Sequence, residues 1–126
     1  MATDASEKKI LIIDEQGFSR ICSAILMSDG YQTDVMTHMT DLPEKLKGGP
    51  FALIVTSYPY GSVIFESLQK KNIPIIILSD EIDERLMNIL NNLQNSRCMI
   101  KPVDYDKFKS MVRQAVDGSL ATTRGY

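Results

Sequence analysis

The chain has 126 residues, of which 44% are hydrophobic and 24% charged, and its formal net charge is −2. That length and composition are those of one soluble globular domain with room for a buried core. The slightly acidic balance and the lack of any lysine or arginine block argue against a nucleic-acid-binding surface. No apolar stretch is long enough to span a membrane and no signal peptide is recognisable, so a cytoplasmic protein is expected.

Five short strand-like segments alternate along the chain with five amphipathic ones. The strands are predicted at residues 10–13, 31–35, 51–56, 73–78 and 97–100. The helices are predicted before Asp29-Gly30, between Asp41 and Gly48, at 62–71, at 81–94 and after Asp104. This alternation requires right-handed crossovers and a parallel sheet covered by helices on both faces. The fold class is therefore α/β, a five-stranded, doubly wound, flavodoxin-like sheet for which the strand order 2-1-3-4-5 is expected.

The same pattern places one domain between two polar ends. Residues 8–117 form the domain; 1–7 are predicted to be a flexible tail, and 118–126 a C-terminal tail or the start of a linker. Apolar stripes predict the buried faces of the helices. The stripe residues are Phe18, Ile21, Cys22, Ile25 and Leu26; Leu42 and Leu46; Ile64, Phe65 and Leu68; Ile82, Leu86, Ile89, Leu90 and Leu93; and Phe108, Met111, Val112, Ala115 and Val116.

The cysteines and the single histidine do not suggest a catalytic or zinc centre. Cys22 and Cys98 lie in apolar segments and are predicted to be reduced thiols rather than a disulfide. His38 stands among polar residues after a strand, with no acidic or cysteine partners at zinc spacing, and is predicted to be a solvated loop residue. With no nucleophile and base in a recognisable arrangement, the chain is not expected to be an enzyme.

Polar residues follow the strands where chemistry is expected in a parallel sheet, beyond the carboxyl ends. They are Asp14 and Glu15, Ser57, Ser79 and Asp80, and Lys101. Two adjacent carboxylates at a strand end need a neutralising cation. Either a Mg²⁺ ion or a salt bridge between Lys101 and Asp14 would supply it, and the sequence leaves both open.

In these motifs the chain resembles the receiver domains of bacterial two-component response regulators, from Lys9 to about Asp117. The resemblance rests on ILIIDE at 10–15, FALIVTS at 51–57, PIIILS at 74–79 and the Lys101-Pro102 pair. It implies that Asp14 and Glu15 are the acid pair that holds Mg²⁺, and that Ser79 and Lys101 contact a phosphoryl group. It also implies a cis peptide bond before Pro102.

The chain departs from the family pattern at four places in this pocket. Ser57 stands where the family has its phosphoacceptor aspartate, and a serine cannot form an acyl phosphate; any Mg²⁺ site is weakened by the same loss of charge. Only Tyr58 separates Ser57 from Pro59, so the following loop is shorter than usual. Cys98 replaces the aromatic residue that many receivers use as a switch. Asp80 replaces a small residue, and its carboxylate would either repel a phosphoryl group or partly replace the lost ligand.

These departures predict an atypical receiver domain that acts as a phosphorylation-independent protein-interaction module. One alternative keeps a phosphorylatable switch, with Ser57 modified by a partner kinase or Asp80 serving as the acceptor. A second alternative is a small-molecule site, since flavodoxin-like folds hold FMN at this edge. It is disfavoured because the loop Asp14-Glu15-Gln16-Gly17 lacks a glycine-rich phosphate cradle.

The expected partners are proteins, either a histidine kinase or another signalling protein. The resemblance implies a homodimer or output surface formed by the fourth helix, the fifth strand and the fifth helix. Neutral residues of the fourth helix could contribute to it, namely Asn88, Asn91, Asn92 and Asn95. Tyr58 and Tyr60 are predicted to be exposed contact residues in the loop after the third strand.

Overall fold

The computed structural model describes residues 9–47, 50–60, 64–69, 72–93 and 95–117. Both predicted tails lie outside the described residues, as do Gly61 of the predicted loop and residues 62, 63, 70 and 71 of the predicted third helix. The strands are β1 (Lys9–Ile13), β2 (Gln32–Met36), β3 (Leu53–Tyr58), β4 (Ile75–Ser79) and β5 (Ser96–Ile100). The helices are α1 (Gln16–Ser28), α2 (Leu42–Lys47, preceded by a 3₁₀ turn at Met39–Asp41), α3 (Phe65–Leu68), α4 (Glu84–Asn92) and α5 (Tyr105–Val116).

The five strands form one parallel sheet in the order β2-β1-β3-β4-β5, which confirms the predicted fold class and topology. Successive residues of a strand face opposite sides of a sheet. Leu11 and Ile13 therefore join the core cluster beneath α2, α3 and α4, whereas Ile10 and Ile12 join the cluster beneath α1 and α5. The unbroken aliphatic runs of the inner strands are explained by this burial on both faces.

The third strand is displaced from its predicted position. β3 begins at Leu53 instead of Phe51 and continues to Tyr58, so Ser57 lies within the strand and not at the head of a loop. Its pairing with β4 continues through Ser57 and Tyr58. Pro59 follows and has no backbone N–H to extend the ladder. The side chain of Ser57 is consequently held by a sheet, which fixes its direction.

Two isoleucines predicted to be buried are exposed. Ile21 is 50% exposed because Ser19, Cys22 and Leu26 occupy the inward arc of α1, and Ile21 lies about a quarter turn away from Cys22. Ile82 is 51% exposed because α4 begins at Glu84, so Ile82 precedes the helix. The helix start is fixed by Asp83, whose side chain accepts a hydrogen bond from the Leu86 N–H at 2.8 Å.

Candidate functional site

Four of the predicted site residues, Asp14, Ser57, Ser79 and Lys101, lie at the carboxyl ends of β1, β3, β4 and β5; together they are called the strand-end cluster. β1 pairs with β3, β3 with β4, and β4 with β5, so these ends are adjacent along one edge of the sheet. Asp14, Ser57 and Ser79 are buried and Lys101 is partly buried. The predicted convergence of polar groups at this edge is therefore present.

The centre of the cluster is a hydrogen bond between Ser57 and Asp14. The Ser57 hydroxyl donates to Oδ2 of Asp14. The other carboxylate oxygen, Oδ1, accepts the backbone N–H of Glu15 at 2.8 Å. A buried carboxylate is costly unless its oxygens have donors, and these two bonds provide one for each oxygen. Asp14 is thus satisfied by neutral groups of its own chain.

Ser79 is committed to the loop that follows its strand. Its hydroxyl donates to the backbone carbonyl of Glu81 at 2.6 Å. Its own carbonyl accepts the backbone N–H of Lys101 at 2.8 Å, which joins the ends of β4 and β5. The hydroxyl that the family resemblance assigns to a phosphoryl contact therefore stabilises the turn between β4 and α4.

Lys101 does not form a salt bridge with Asp14, which was one of the two arrangements that the sequence left open. No ion pair of the described residues joins these two side chains, and the Lys101 ammonium instead lies 4.8 Å from the centre of the Phe18 ring. An aromatic face attracts a cation through its quadrupole. Asp14 takes its two donors from Ser57 and the Glu15 backbone instead. The Lys101-Pro102 peptide bond is cis, as the resemblance implies.

Cys22 is a buried thiol within the electrostatic reach of this cluster. Burial, with the nearby Asp14 carboxylate adding to it and Lys101 opposing it, raises the pKa of Cys22 to about 12. Burial also raises the pKa of Cys98. Both cysteines are free, as predicted, and they pack against core clusters on opposite faces of the sheet, which rules out a disulfide between them.

The donor set does not fit a Mg²⁺ site. Glu15 and Asp80 are both exposed, outside the buried part of the cluster. In the described ranges, no three His, Cys, Asp or Glu side chains are grouped so that they could hold a metal ion. Asp14 is buried and each of its oxygens already accepts a hydrogen bond, and Ser57 offers a neutral hydroxyl in place of a carboxylate. Mg²⁺ needs a carboxylate with an accessible oxygen, so this arrangement does not supply the site that the resemblance implies.

Tyr58 is buried, so its prediction as an exposed contact residue was wrong. Its side chain belongs to the core cluster on the α4 side of the sheet, and its hydroxyl lies 3.4 Å from Oδ2 of Asp83. The period-two alternation of β3, once extended to residue 58, would have placed Tyr58 on that side. Tyr60 is exposed as predicted, and its hydroxyl donates to the carbonyl of Thr37 at 2.8 Å.

Apolar side chains are exposed on the three elements for which a partner surface was predicted. Met87 on α4 is 45% exposed, Ile100 on β5 is 43% exposed, and Tyr105 at the start of α5 is 37% exposed. These three residues are called the α4–β5–α5 set. Asn88, Asn91 and Asn92 are also exposed on or near α4, whereas Asn95 is only partly exposed.

Comparison with solved structures places the fold among response-regulator receiver domains. A CheY-like receiver domain protein from Methanospirillum hungatei has a TM-score of 0.77 and 19% identity, over 90% of this chain and 96% of that chain. The signal receiver domain of an HD domain-containing protein from Pseudomonas fluorescens has a TM-score of 0.80 and 18% identity, over 100% and 98%. A response regulator from Thermotoga maritima, solved in complex with Mg²⁺ and BeF, has a TM-score of 0.71 and 20% identity, over 86% and 98%.

At these identities the likeness defines the fold. No family model and no curated protein matches the sequence. Among the described residues, no helix is both long and apolar enough to cross a bilayer.

Proposed function

We propose that this chain is an atypical receiver domain of two-component signalling, acting as a protein-interaction module whose output is independent of aspartyl phosphorylation. The observation that carries the proposal is the hydrogen bond from the Ser57 hydroxyl to the buried Asp14 carboxylate. The fold is supported by the receiver-domain structures that it resembles. The module is proposed as a binding protein of the cytoplasm and not as an enzyme.

The proposal is supported by the partners of all four cluster residues. Ser57 and Asp14 bond to each other, Ser79 bonds to the β4–α4 turn, and Lys101 lies over Phe18. Phosphoryl transfer needs a nucleophile and cations placed where the negative charge of the transferred group develops. Here, Asp14, Ser57, Ser79 and Lys101 each already interact with another part of the chain, and the remaining acid, Glu15, is exposed. A phosphoryl group would have to break several of these contacts to enter.

The alternative is a switch that is still phosphorylated, at Ser57 or at Asp80. Asp80 favours it because this carboxylate is exposed and stands directly after β4. Ser57 is the weaker candidate acceptor. Its hydroxyl has the Asp14 carboxylate to accept its proton, but it is buried and so is not accessible to a kinase. A flavin-binding role would be revealed by flavin absorbance of the purified protein, and none is expected.

The test is the intact mass of the full chain after incubation with acetyl phosphate and Mg²⁺, beside a phosphorylatable receiver domain as the positive control. We expect no added phosphoryl mass. An adduct that hydroxylamine removes would contradict the proposal and show an acyl phosphate, which Asp80→Asn would abolish if Asp80 is the acceptor. A hydroxylamine-resistant adduct that is absent from Ser57→Ala would instead establish a serine ester.

The proposed partner surface is formed by α4, β5 and α5, used for a second copy of the chain or for another signalling protein. It is supported by the exposure of the α4–β5–α5 set, because large apolar side chains are common at the centres of interfaces. A histidine kinase remains a candidate partner by resemblance. The pocket and the partner surface are thus proposed to have separate roles.

A further inference from the structure

The residue next to Ser57 makes a contact that spans from the sheet to a helix. Tyr58 is the last residue of β3, and its side chain packs in the same core cluster as Leu86 and Leu93 on the α4 side. Its hydroxyl reaches past this apolar layer to Oδ2 of Asp83, at 3.4 Å. β3 carries Ser57 and Tyr58 as successive residues, so their side chains leave opposite faces of the strand.

Asp83 is the N-cap of α4 and divides its two oxygens between the helix and Tyr58. Oδ1 accepts the Leu86 N–H at 2.8 Å, while Oδ2 faces the tyrosine hydroxyl. The Asp83 backbone carbonyl also accepts the Met87 N–H at 3.0 Å. An N-cap acceptor satisfies an N–H that has no partner within the helix, and its position determines where the helix begins.

We propose that Tyr58 is a positioning residue that couples the end of β3 to the first turn of α4 through the Asp83 cap. The ring fixes the distance between strand and helix by packing, and the hydroxyl fixes the orientation of the capping carboxylate. A change at Ser57 that shifts the end of β3 then moves the hydroxyl relative to Asp83 and loosens the first turn of α4. The contact is a feature of the fold, and only its role in signalling rests on the proposed function.

The test is hydrogen–deuterium exchange of the full chain, followed at the Leu86 and Met87 amides. Tyr58→Phe keeps the ring and removes only the hydroxyl, and we expect about twofold faster exchange at these amides, since a contact of 3.4 Å stabilises less than an ordinary hydrogen bond. Tyr60→Phe is the matched control, because the Tyr60 hydroxyl donates to the Thr37 carbonyl and not to α4. It should leave both amides unchanged.

Asp83→Ser separates the contact from the cap itself. A serine at the N-cap can still accept the Leu86 N–H, but it offers no second oxygen to Tyr58. Asp83→Ser should accelerate exchange to a similar extent, and adding Tyr58→Phe to it should produce no further change. Independent, additive effects of the two substitutions would overturn the proposal, as would unchanged α4 exchange in Tyr58→Phe.

Combining Tyr58→Phe with Ser57→Ala tests whether a change at Ser57 alters the first turn of α4 through Tyr58. Ser57→Ala should accelerate exchange at Leu86 and Met87 when Tyr58 is present and have a smaller effect on them in Tyr58→Phe. An equal effect in both backgrounds would mean that Tyr58 does not transmit the change. This readout is independent of phosphoryl mass, so the coupling and the phosphorylation-independent function can fail separately.

Discussion

The strand-end cluster buries polar side chains, whereas the α4–β5–α5 set exposes apolar ones. In the cluster, the buried polar side chains of Asp14, Ser57 and Ser79 each have a partner within the chain. In the α4–β5–α5 set, large apolar side chains remain in contact with water. The buried groups are thus satisfied without a ligand, whereas the exposed ones would be stabilised by leaving water.

This difference is informative because it separates two requirements of a signalling domain. A pocket that receives a charged group needs donors and cations that are free to turn towards it, since a group already bonded elsewhere must first lose that bond. A surface that receives a protein needs exposed apolar area. The chain meets the second requirement better than the first, which supports the proposal that it acts through a protein-binding surface.

The largest expected effect comes from removing the Ser57 hydroxyl. Ser57→Ala leaves Oδ2 of the buried Asp14 carboxylate without its donor, and the loss of a hydrogen bond to a charged group costs about 1.5–3 kcal/mol. Equilibrium urea unfolding should show a free energy of unfolding lower by about that amount, with an unchanged m-value.

Ser23→Ala is the matched control for this substitution. The Ser23 hydroxyl is 2.6 Å from that of Thr33 in a partly exposed position, so its removal should cost less than about 1 kcal/mol. Adding Asp14→Asn to Ser57→Ala should restore part of the stability, because a neutral side chain is less costly to bury than a carboxylate. Equal losses in Ser23→Ala and Ser57→Ala would contradict the view that the cluster is held by its central bond.

A smaller effect is expected from alkaline pH, through Cys22. The pKa of Cys22 is raised to about 12, whereas the unfolded thiol ionises at about 8.5. As the pH rises, the thiol of the unfolded chain therefore loses its proton first. The contribution of Cys22 to stability is complete below the unfolded pKa and is lost as the pH rises towards 12. The free energy of unfolding should fall by about 1 kcal/mol per pH unit between about pH 9.5 and 11.5.

Cys22→Ala isolates this contribution from those of lysine and tyrosine. The substitution costs stability at every pH, but it should flatten the dependence on pH in the alkaline range. Cys98→Ala, at a half-buried thiol, should flatten it less. If the free energy of unfolding depended on pH with the same slope in the wild type and in Cys22→Ala, the Cys22 thiol would have the same pKa in the folded and the unfolded chain.

The fold was predictable from the sequence because its signals are local and repeated. Aliphatic runs such as Ile10–Ile13 can be buried on both faces only in a covered parallel sheet, and the alternation with helices fixes the connections. The exposure of Ile82 was not predictable from the apolar stripe alone. The stripe allows α4 to begin either before Ile82 or after it. The hydrogen bond from the Leu86 N–H to the Asp83 side chain makes Asp83 the N-cap, so the helix begins at Glu84.

In the site, the convergence of residues was predictable but their partners were not. Strand order and strand ends bring Asp14, Ser57 and Lys101 to one edge. Which donor Asp14 takes depends on distances of a few ångströms among competing groups. The buried Ser57 hydroxyl and the Glu15 N–H are used in place of Lys101, for which the Phe18 ring offers a second partner. Charge matching alone, which left a salt bridge and a Mg²⁺ ion as the two alternatives, omits that competition.

The smallest effect on stability is expected at the exposed surface, where Ile100→Glu tests the second half of the comparison. Since Ile100 is 43% exposed, the free energy of unfolding should fall by about 1 kcal/mol or less. If α4, β5 and α5 form a homodimer surface, a carboxylate there should raise the dimer dissociation constant at least about tenfold, which corresponds to about 1.4 kcal/mol. Sedimentation velocity over a concentration series measures this constant.

Ile21→Glu provides the control for Ile100→Glu, because Ile21 is equally apolar and 50% exposed but lies on α1, which is not one of the three elements of the proposed surface. It should leave self-association unchanged. If both substitutions weakened association equally, the cause would be general hydrophobicity and not a defined surface. A wild-type chain that stays monomeric at every concentration would exclude the homodimer, and the proposed surface would then have to be tested against another signalling protein.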